Sequence, residues 1–372
     1  MVGMWLNGRA LRLLVMGVLL LSGVGGWVSA LSAAEPSGSS GKKLVFTERT
    51  QFGLPSEATD DLFLESPSDL MMDKQGRLYV LDRGAKTVFV WDADGRYRTN
   101  LGREGQGPGE FTFKSSRCML SYDGETLFVV DSDAGKIHHF VDLEYQQTRK
   151  KPTRFHMLLY LRHLKNGNIF LINQNYRNKV PYSQLLLTDG DFKIIKELDH
   201  FEDKTFSRNE NGGWDFHAYA PRPLVYAAYG LDYFLLSDNR GETVDVYDLD
   251  GNLKRKINVA LSRPLLTQAD KDALREQVRW AKPPHRVFFP DYGERFTSFL
   301  PLAGEQLFIY SKDFGNGTLT GKILDWQGRN LGPGTLVLGV EGRVDVFPAG
   351  VVTILADEEG NYAVKAHQAT LR

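Results

Sequence analysis

The chain contains a single cysteine among 372 residues, so no disulfide bond can form within it. Small exported domains usually depend on disulfide bonds, whereas a chain of this length can bury a core large enough to be stable without them. Cys118 lies on a predicted strand and is expected to be a small buried hydrophobic residue rather than a nucleophile.

An excess of charge of either sign is also missing. The chain has 45 basic and 46 acidic residues, so it lacks the basic surface by which nucleic-acid-binding proteins are recognised. It also lacks a Gly-x-Ser-x-Gly nucleophile motif, a phosphate-binding Gly-Lys-Ser/Thr loop, a His-Glu-x-x-His motif and a haem-attachment motif. The sequence therefore predicts no nucleic-acid partner and no cofactor, and it favours a binding protein over an enzyme.

The apolar run near the N-terminus is short. Arg9 and Arg12 precede it, it extends over residues 13–21, and small residues follow up to Ala34. A basic start, an apolar segment and a small-residue site are typical of a cleaved secretory signal peptide, which predicts export to a bacterial periplasm or beyond the cell. An uncleaved anchor is the alternative. After cleavage, residues 35–42 are expected to form a flexible lead-in, and no membrane span remains.

An internal repeat dominates the rest of the chain. Residues 78–82 form an apolar run that ends in Asp, and a polar turn, a second apolar run over 88–92 and an Asp-Gly pair follow. Similar units contain the apolar runs that begin at Leu127, Ile169, Tyr233, Leu307 and Val351. Each unit has the pattern of a four-stranded antiparallel sheet, and one such sheet cannot bury both of its faces alone. The repeat therefore predicts an all-β fold, a six-bladed β-propeller.

The last unit supplies only three strands, over residues 344–371. Residues 43–50 are predicted to be its fourth strand, because pairing them with the C-terminal unit closes the ring and removes two free sheet edges. Residues 43–372 are accordingly predicted to form one domain.

A glycine-rich stretch connects the first two units. Residues 102–111 read Gly-Arg-Glu-Gly-Gln-Gly-Pro-Gly-Glu-Phe, and with the Asp-led turns around them this segment resembles the NHL-type repeat. The resemblance is specific over residues 66–140 and implies a propeller. Several family copies carry Asn in the turn where this chain has Ala85 and Ala134. A nucleotide-binding role for the glycines is the alternative, but the stretch follows a hairpin instead of opening a helix.

One segment departs from the repeat. Thr267 and Asp270 form a helix-capping pattern, apolar residues follow at helical spacing, and Pro283-Pro284 ends the segment. A short helix over about 267–281, inserted between the fourth and fifth units, is predicted. It is expected to act as a lid over one propeller face or, alternatively, as a docking helix for a partner.

Arginines precede or begin the first strand in five of the six units. They are Arg117, Arg154, Arg222, Arg295 and Arg343. In a propeller these positions surround one mouth of the central channel, where guanidinium groups favour an anionic small ligand or the carboxylates of a protein partner. The alternative is that each pairs with a local acid such as Glu65, Asp69, Glu294 or Asp345.

The histidines offer a second function. His156, His163 and His217 lie near predicted first strands, and as metal ligands they would indicate a metal-assisted lyase or hydrolase with a channel-centred site. His138 and His139 are neighbours on one predicted strand, so their side chains point to opposite faces and cannot chelate together. A purely structural subunit of an envelope complex is the third alternative.

Overall fold

The computed structural model describes residues 44–52, 63–113, 117–132, 134–177, 180–202, 206–218, 220, 222–277, 283–313, 318–337, 343–347, 350–356 and 362–371. The predicted signal peptide and lead-in lie outside these residues. Within the part of the chain so described, no helix has both the length and the apolar character needed to cross a membrane.

Strand β1 (Leu44–Phe52) precedes the first blade. Four blades are four-stranded antiparallel sheets whose strands follow one another along the chain. The first blade consists of β2 (Pro67–Met72), β3 (Leu78–Asp82), β4 (Thr87–Trp91) and β5 (Tyr97–Leu101). The second consists of β6 (Cys118–Tyr122), β7 (Thr126–Asp131), β8 (Lys136–Val141) and β9 (Glu144–Lys150). The third consists of β10 (Met157–His163), β11 (Ile169–Arg177), β12 (Val180–Thr188) and β13 (Ile194–Glu202).

Two inserts flank the fourth blade. They contribute a separate three-stranded sheet of β14 (Phe206–Arg208), β15 (Trp214–His217) and β20 (Arg286–Phe288). The blade itself consists of β16 (Pro223–Tyr226), β17 (Tyr233–Asp238), β18 (Thr243–Asp248) and β19 (Leu253–Asn258). The second insert also carries helix α1 (Gln268–Gln277), so the prediction of a short inserted helix is confirmed. Its capping pattern forms as well, since the Asp270 amide donates to Thr267 Oγ1 at 3.2 Å.

The last two blades share one hydrogen-bonded sheet. The fifth blade consists of β21 (Ser298–Leu302), β22 (Gln306–Asp313), β23 (Thr318–Asp325) and β24 (Asn330–Val337). The sixth consists of β25 (Arg343–Phe347), β26 (Gly350–Ala356), β27 (Tyr362–Leu371) and β1. Strand β1 lies antiparallel to β27, from the Leu44–Leu371 pair to the Phe52–Val364 pair. The predicted all-β six-bladed propeller, closed by its N-terminal strand, is thus confirmed.

A buried carboxylate explains the Asp of the repeat. Asp82 ends β3, is fully buried, and accepts hydrogen bonds from the amides of Glu65 and Ser66 at 2.8 and 3.0 Å. It also accepts the amide of Gly84 in its own turn. Asp131 takes the same part in the second blade and accepts the amide of Thr112 at 2.9 Å. Each Asp therefore joins the turn of its blade to the segment that leads into it, and satisfies amides that burial would otherwise leave unpaired.

The glycine-rich stretch is a packed loop. Gly102 has φ +69°, and a Cβ there would lie 2.4 Å from the ring of buried Phe111. Glu110 turns back into the loop, where its carboxylate accepts the Gly107 amide at 2.8 Å and Arg103 Nε at 2.9 Å. In a nucleotide-binding loop the Gly107 amide would be free to contact a phosphate, whereas here it is already bound to the Glu110 carboxylate of the same loop.

An ion pair crosses the centre of the propeller. Arg162 on β10 lies 3.0 Å from Asp69 on β2, and both side chains are almost fully buried. Between them lies Leu120 of β6, whose amide donates to Asp69 at 2.8 Å and whose carbonyl accepts Arg162 at 2.7 Å. The inner strands of three consecutive blades are thereby joined. The amide and carbonyl of Leu120 at the free edge of β6 are both hydrogen-bonded.

Replacing Arg162 by Met is expected to lower the free energy of unfolding by about 3–5 kcal/mol, because the Asp69 carboxylate then stays buried without its counter-charge. Urea unfolding measures the change. The double variant Asp69→Asn/Arg162→Met should lose less free energy of unfolding than Arg162→Met alone. The control Arg98→Met breaks the exposed Arg98–Asp92 pair and should cost about 0.5 kcal/mol or less. A cost below about 1 kcal/mol for Arg162→Met would contradict the role of the pair.

Candidate functional site

The first strand of every blade begins at the same face of the propeller, here called the upper face. The five predicted site arginines are all found at this end of their strands. Arg117 directly precedes β6 and Arg222 directly precedes β16, Arg154 and Arg295 lie three residues before β10 and β21, and Arg343 begins β25. The side chain of Arg343 lies outside the described part of the structure.

Two of the five arginines are brought together, at the junction of the fourth and fifth blades. Arg222 Nη2 lies 3.5 Å from the Glu294 carboxylate, and Arg295 Nη2 lies 3.4 Å from that of Glu242. Glu294 is almost fully buried, whereas Glu242 is 82% exposed. Glu294 is one of the local acids proposed as the alternative, and Glu242 is a further local acid, although its contact is long and open to solvent.

The remaining arginines differ in their surroundings. Arg154 is exposed, and its guanidinium carbon lies 5.4 Å from the ring centroid of Phe155. No carboxylate of the described residues forms an ion pair with it. Arg117 is half-buried. The upper face thus carries arginines from successive blades, with Arg154 the most available to a ligand.

Asn239 organises the Arg222 and Arg295 positions. Its side chain is buried, its Oδ1 accepts the amide of Arg222 at 3.1 Å, and its Nδ2 donates to Glu294 at 3.2 Å. Its carbonyl accepts the amide of Arg295 at 2.7 Å. Sequence analysis missed this residue, which directly follows Asp238, the residue that pairs with Pro223 as Asp82 pairs with Pro67 in the first blade.

The two inserts are held together by an ion-pair network on the upper side of the fourth blade. Arg286 binds both oxygens of Asp215 at 2.7 Å and reaches Glu210 at 3.0 Å. The hydrogen bonds from Arg286, opposed in part by desolvation, lower the pKa of Asp215 to about 2. The network stays charged over the physiological range and fixes one border of the upper face.

The third blade forms another border. Its Asn173 occupies the position of Asp82 and accepts the amide of Met157 at 3.3 Å. Strand β11 continues four residues past Asn173, to Arg177. The hairpin of β11 and β12 therefore extends about 13 Å above Asn173. Tyr176 and Val180 near the tip of this hairpin are exposed. The upper face is therefore bordered by the third blade and by the inserts.

The three histidines of the alternative metal site are not brought together. His156 and His163 lie at opposite ends of β10, about 20 Å apart. His163 is buried and stacks on Phe128 at 4.0 Å, whereas His217 stacks on Phe288 in the insert sheet at 4.9 Å. Among the residues that the structure describes, no three His, Cys, Asp or Glu side chains are placed to hold a metal ion.

A family model described as a 6-bladed beta-propeller, DUF5128, matches residues 50–259, more than half of the chain. Among solved structures, the chain is similar to a Bacteroides fragilis protein described as exported, with 12% identity, a TM-score of 0.54 and coverage of 90% of this chain and 97% of that one. A DUF4221 member from Bacteroides vulgatus is similar with 9% identity, a TM-score of 0.50 and coverage of 88% and 99%. These identities are low, so the likeness concerns the fold. No curated protein matches the chain.

Proposed function

Because the chain belongs to DUF5128, a family of 6-bladed β-propellers, we propose that it is an exported binding or assembly module whose upper face holds a small anionic ligand or an acidic segment of a protein partner. Export is supported by the signal-like N-terminus and by the fold shared with the exported Bacteroides fragilis protein. The blades are of the NHL type in this proposal, which the loop over 102–111 and the Asp-led turns support.

The placement of arginines at one face carries the proposal. Five of them precede or begin first strands at that face, and no such arrangement is needed to build a blade. Several like charges around a concave surface raise the local concentration of anions, and a guanidinium binds a carboxylate through two parallel hydrogen bonds. The raised third blade and the inserts border this surface, so the ligand approaches a recess rather than a plane.

The test is binding of fluorescein-labelled poly-L-glutamate, measured by fluorescence anisotropy at low and at high salt. The variant Arg154→Gln/Arg222→Gln should bind about 10-fold more weakly, because two cations of the recess are lost, and its affinity should depend less on salt. The melting temperature of this variant is measured alongside, because Arg222→Gln also removes the partner of the buried Glu294 carboxylate, and binding is compared at a temperature where both proteins are folded.

The matched control is Arg96→Gln/Arg98→Gln, which removes the same charge from the opposite face. Its affinity should equal that of the unchanged protein. Equal losses in both double variants would mean that the probe responds to net charge alone, and no loss in either would mean that the upper-face arginines are ordinary solvated residues. Both results would overturn the proposed function.

A further inference from the structure

Three arginines surround the turn between β17 and β18 in the fourth blade, residues 238–242. Arg240 belongs to the turn itself. Arg295 reaches it from the end of the second insert, where its Nε donates to the Arg240 carbonyl at 3.3 Å. Arg263 lies near the start of the same insert, close enough to Arg240 for its charge to act on that residue. The turn therefore carries one arginine and is approached by two others, from the two ends of the second insert.

Arg263 is held in place by neutral groups. Its Nε donates to the carbonyl of Gly293 at 2.8 Å and its Nη2 to the carbonyl of Tyr292 at 2.9 Å. Among the described residues, no carboxylate forms an ion pair with it. The side chain is thus fixed by two hydrogen bonds to neutral carbonyls, which leave its positive charge in place.

The charges at the turn are unfavourable to one another. Burial, and after it the charge of Arg263, lower the pKa of the Arg240 guanidinium, and the carboxylate of Asp238 in the same turn offsets only part of this shift. The acid that contacts Arg295 is Glu242, which is mostly in solvent and lies 3.4 Å away. A doubly charged anion bound at this turn would relieve the repulsion, because it attracts several cations at once.

An apolar surface adjoins the cations. The guanidinium carbon of Arg263 lies 5.7 Å from the ring centroid of Tyr292, and that ring is 49% exposed. Leu265 pairs with Tyr292 across an antiparallel bridge and is also exposed. A ligand that touches the three arginines can therefore place a ring or another apolar group against Tyr292.

We propose that Arg240, Arg263 and Arg295 bind the oxyanion of a phosphate or sulfate monoester, and that Tyr292 contacts the ring to which this group is attached. The site lies off the channel axis, on the insert side of the fourth blade. It shares Arg295 with the proposed function but does not depend on it.

Isothermal titration of the full-length mature protein with phenyl phosphate, phenyl sulfate and inorganic phosphate tests the site. We expect at least one ester to bind at least about 10-fold more tightly than inorganic phosphate, and the stronger ester identifies the oxyanion. Arg263→Gln should weaken ester binding by about 10-fold or more. Tyr292→Ala should remove the preference for the ester over inorganic phosphate, and it serves as a second variant if Arg263→Gln fails to fold.

The control for charge is Arg96→Gln, and the control for the other site is Arg154→Gln/Arg222→Gln. Both should bind the esters as the unchanged protein does. Failure of both esters to bind below about 10 mM would overturn the inference, as would equal losses in Arg96→Gln and Arg263→Gln. Loss of poly-L-glutamate binding in Arg154→Gln/Arg222→Gln with ester binding intact would support both sites separately.

Discussion

Deleting residues 44–52 is expected to lower the free energy of unfolding by about 5 kcal/mol or more, which brings a domain of ordinary stability close to unfolding. The deletion removes a nine-residue strand that pairs with β27 along almost its whole length. It also removes the buried side chains of Leu44 and Phe52, whose burial contributes about 2–3 kcal/mol each. Without β1, the free edge of β27 exposes amides and carbonyls that the sheet now satisfies.

Thermal and urea unfolding of this variant measure the effect, and the matched control lacks residues 35–42. The control should unfold like the protein of residues 35–372. A synthetic peptide of residues 44–52, added to the truncated protein, should restore part of the lost stability, since it can occupy the vacated edge. A truncated protein with an unchanged melting temperature would show that the pairing of β1 with β27 contributes nothing to stability.

Acidification from pH 7 to pH 4 is expected to destabilise the protein by several kcal/mol through three buried histidines. Burial is the main cause that lowers the pKa of His138, His139 and His163 to about 4 each. Their ordinary pKa in an unfolded chain is about 6.5, so between these values the unfolded state binds protons that the folded state excludes. The stability is therefore complete above about pH 6.5 and is lost as the pH falls towards 4.

The size of this effect follows from the shift. One proton taken up on unfolding changes the free energy of unfolding by about 1.4 kcal/mol per pH unit, so each histidine contributes up to about 3 kcal/mol. The charged groups that also act on the three rings are the acids Asp123 and Asp131, the bases Lys136 and Arg149, and His139, which acts on the other two rings. The acids partly offset the shift caused by burial.

Urea unfolding at half-unit steps between pH 4 and pH 7 gives the slope of the free energy of unfolding against pH. His163→Asn removes one titrating ring and should reduce the slope by about one proton between pH 5 and pH 6. Gln146→Asn on the exposed strand β9 is the control, because it changes a surface side chain without removing a titrating group. A slope that stays the same in His138→Asn, His139→Asn and His163→Asn would contradict the assignment of the acid sensitivity to these rings.

Much of the fold could be predicted from the sequence because its signals are local. The apolar run over 78–82, its terminal Asp and the Asp94-Gly95 hairpin lie within one unit, and each repeats along the chain. Ring closure by β1 could be predicted as well, because the last unit lacked one strand. The capping pair Thr267 and Asp270 indicated the helix in the same way.

Contacts between distant segments could not be predicted. The Asp69–Arg162 pair joins residues 93 positions apart, and its only signal is a charged residue within an apolar first strand. The insert sheet pairs Asp215 with Arg286 through strands of three and four residues, which are too short to show a period. The arginines could be placed at one end of their strands, but the partners Glu242 and Glu294 depend on how the inserts fold back.

The closure described above also sets a condition on folding order. Leu44 pairs with Leu371, so the first strand of the propeller meets its partner only after the rest of the ring has been synthesised. Until then β1 is an unpaired edge that can bind the β27 of another molecule, and the exchange would give a domain-swapped dimer with every blade intact. Such a dimer would form during refolding at high protein concentration and would dissociate only through unfolding of the sixth blade.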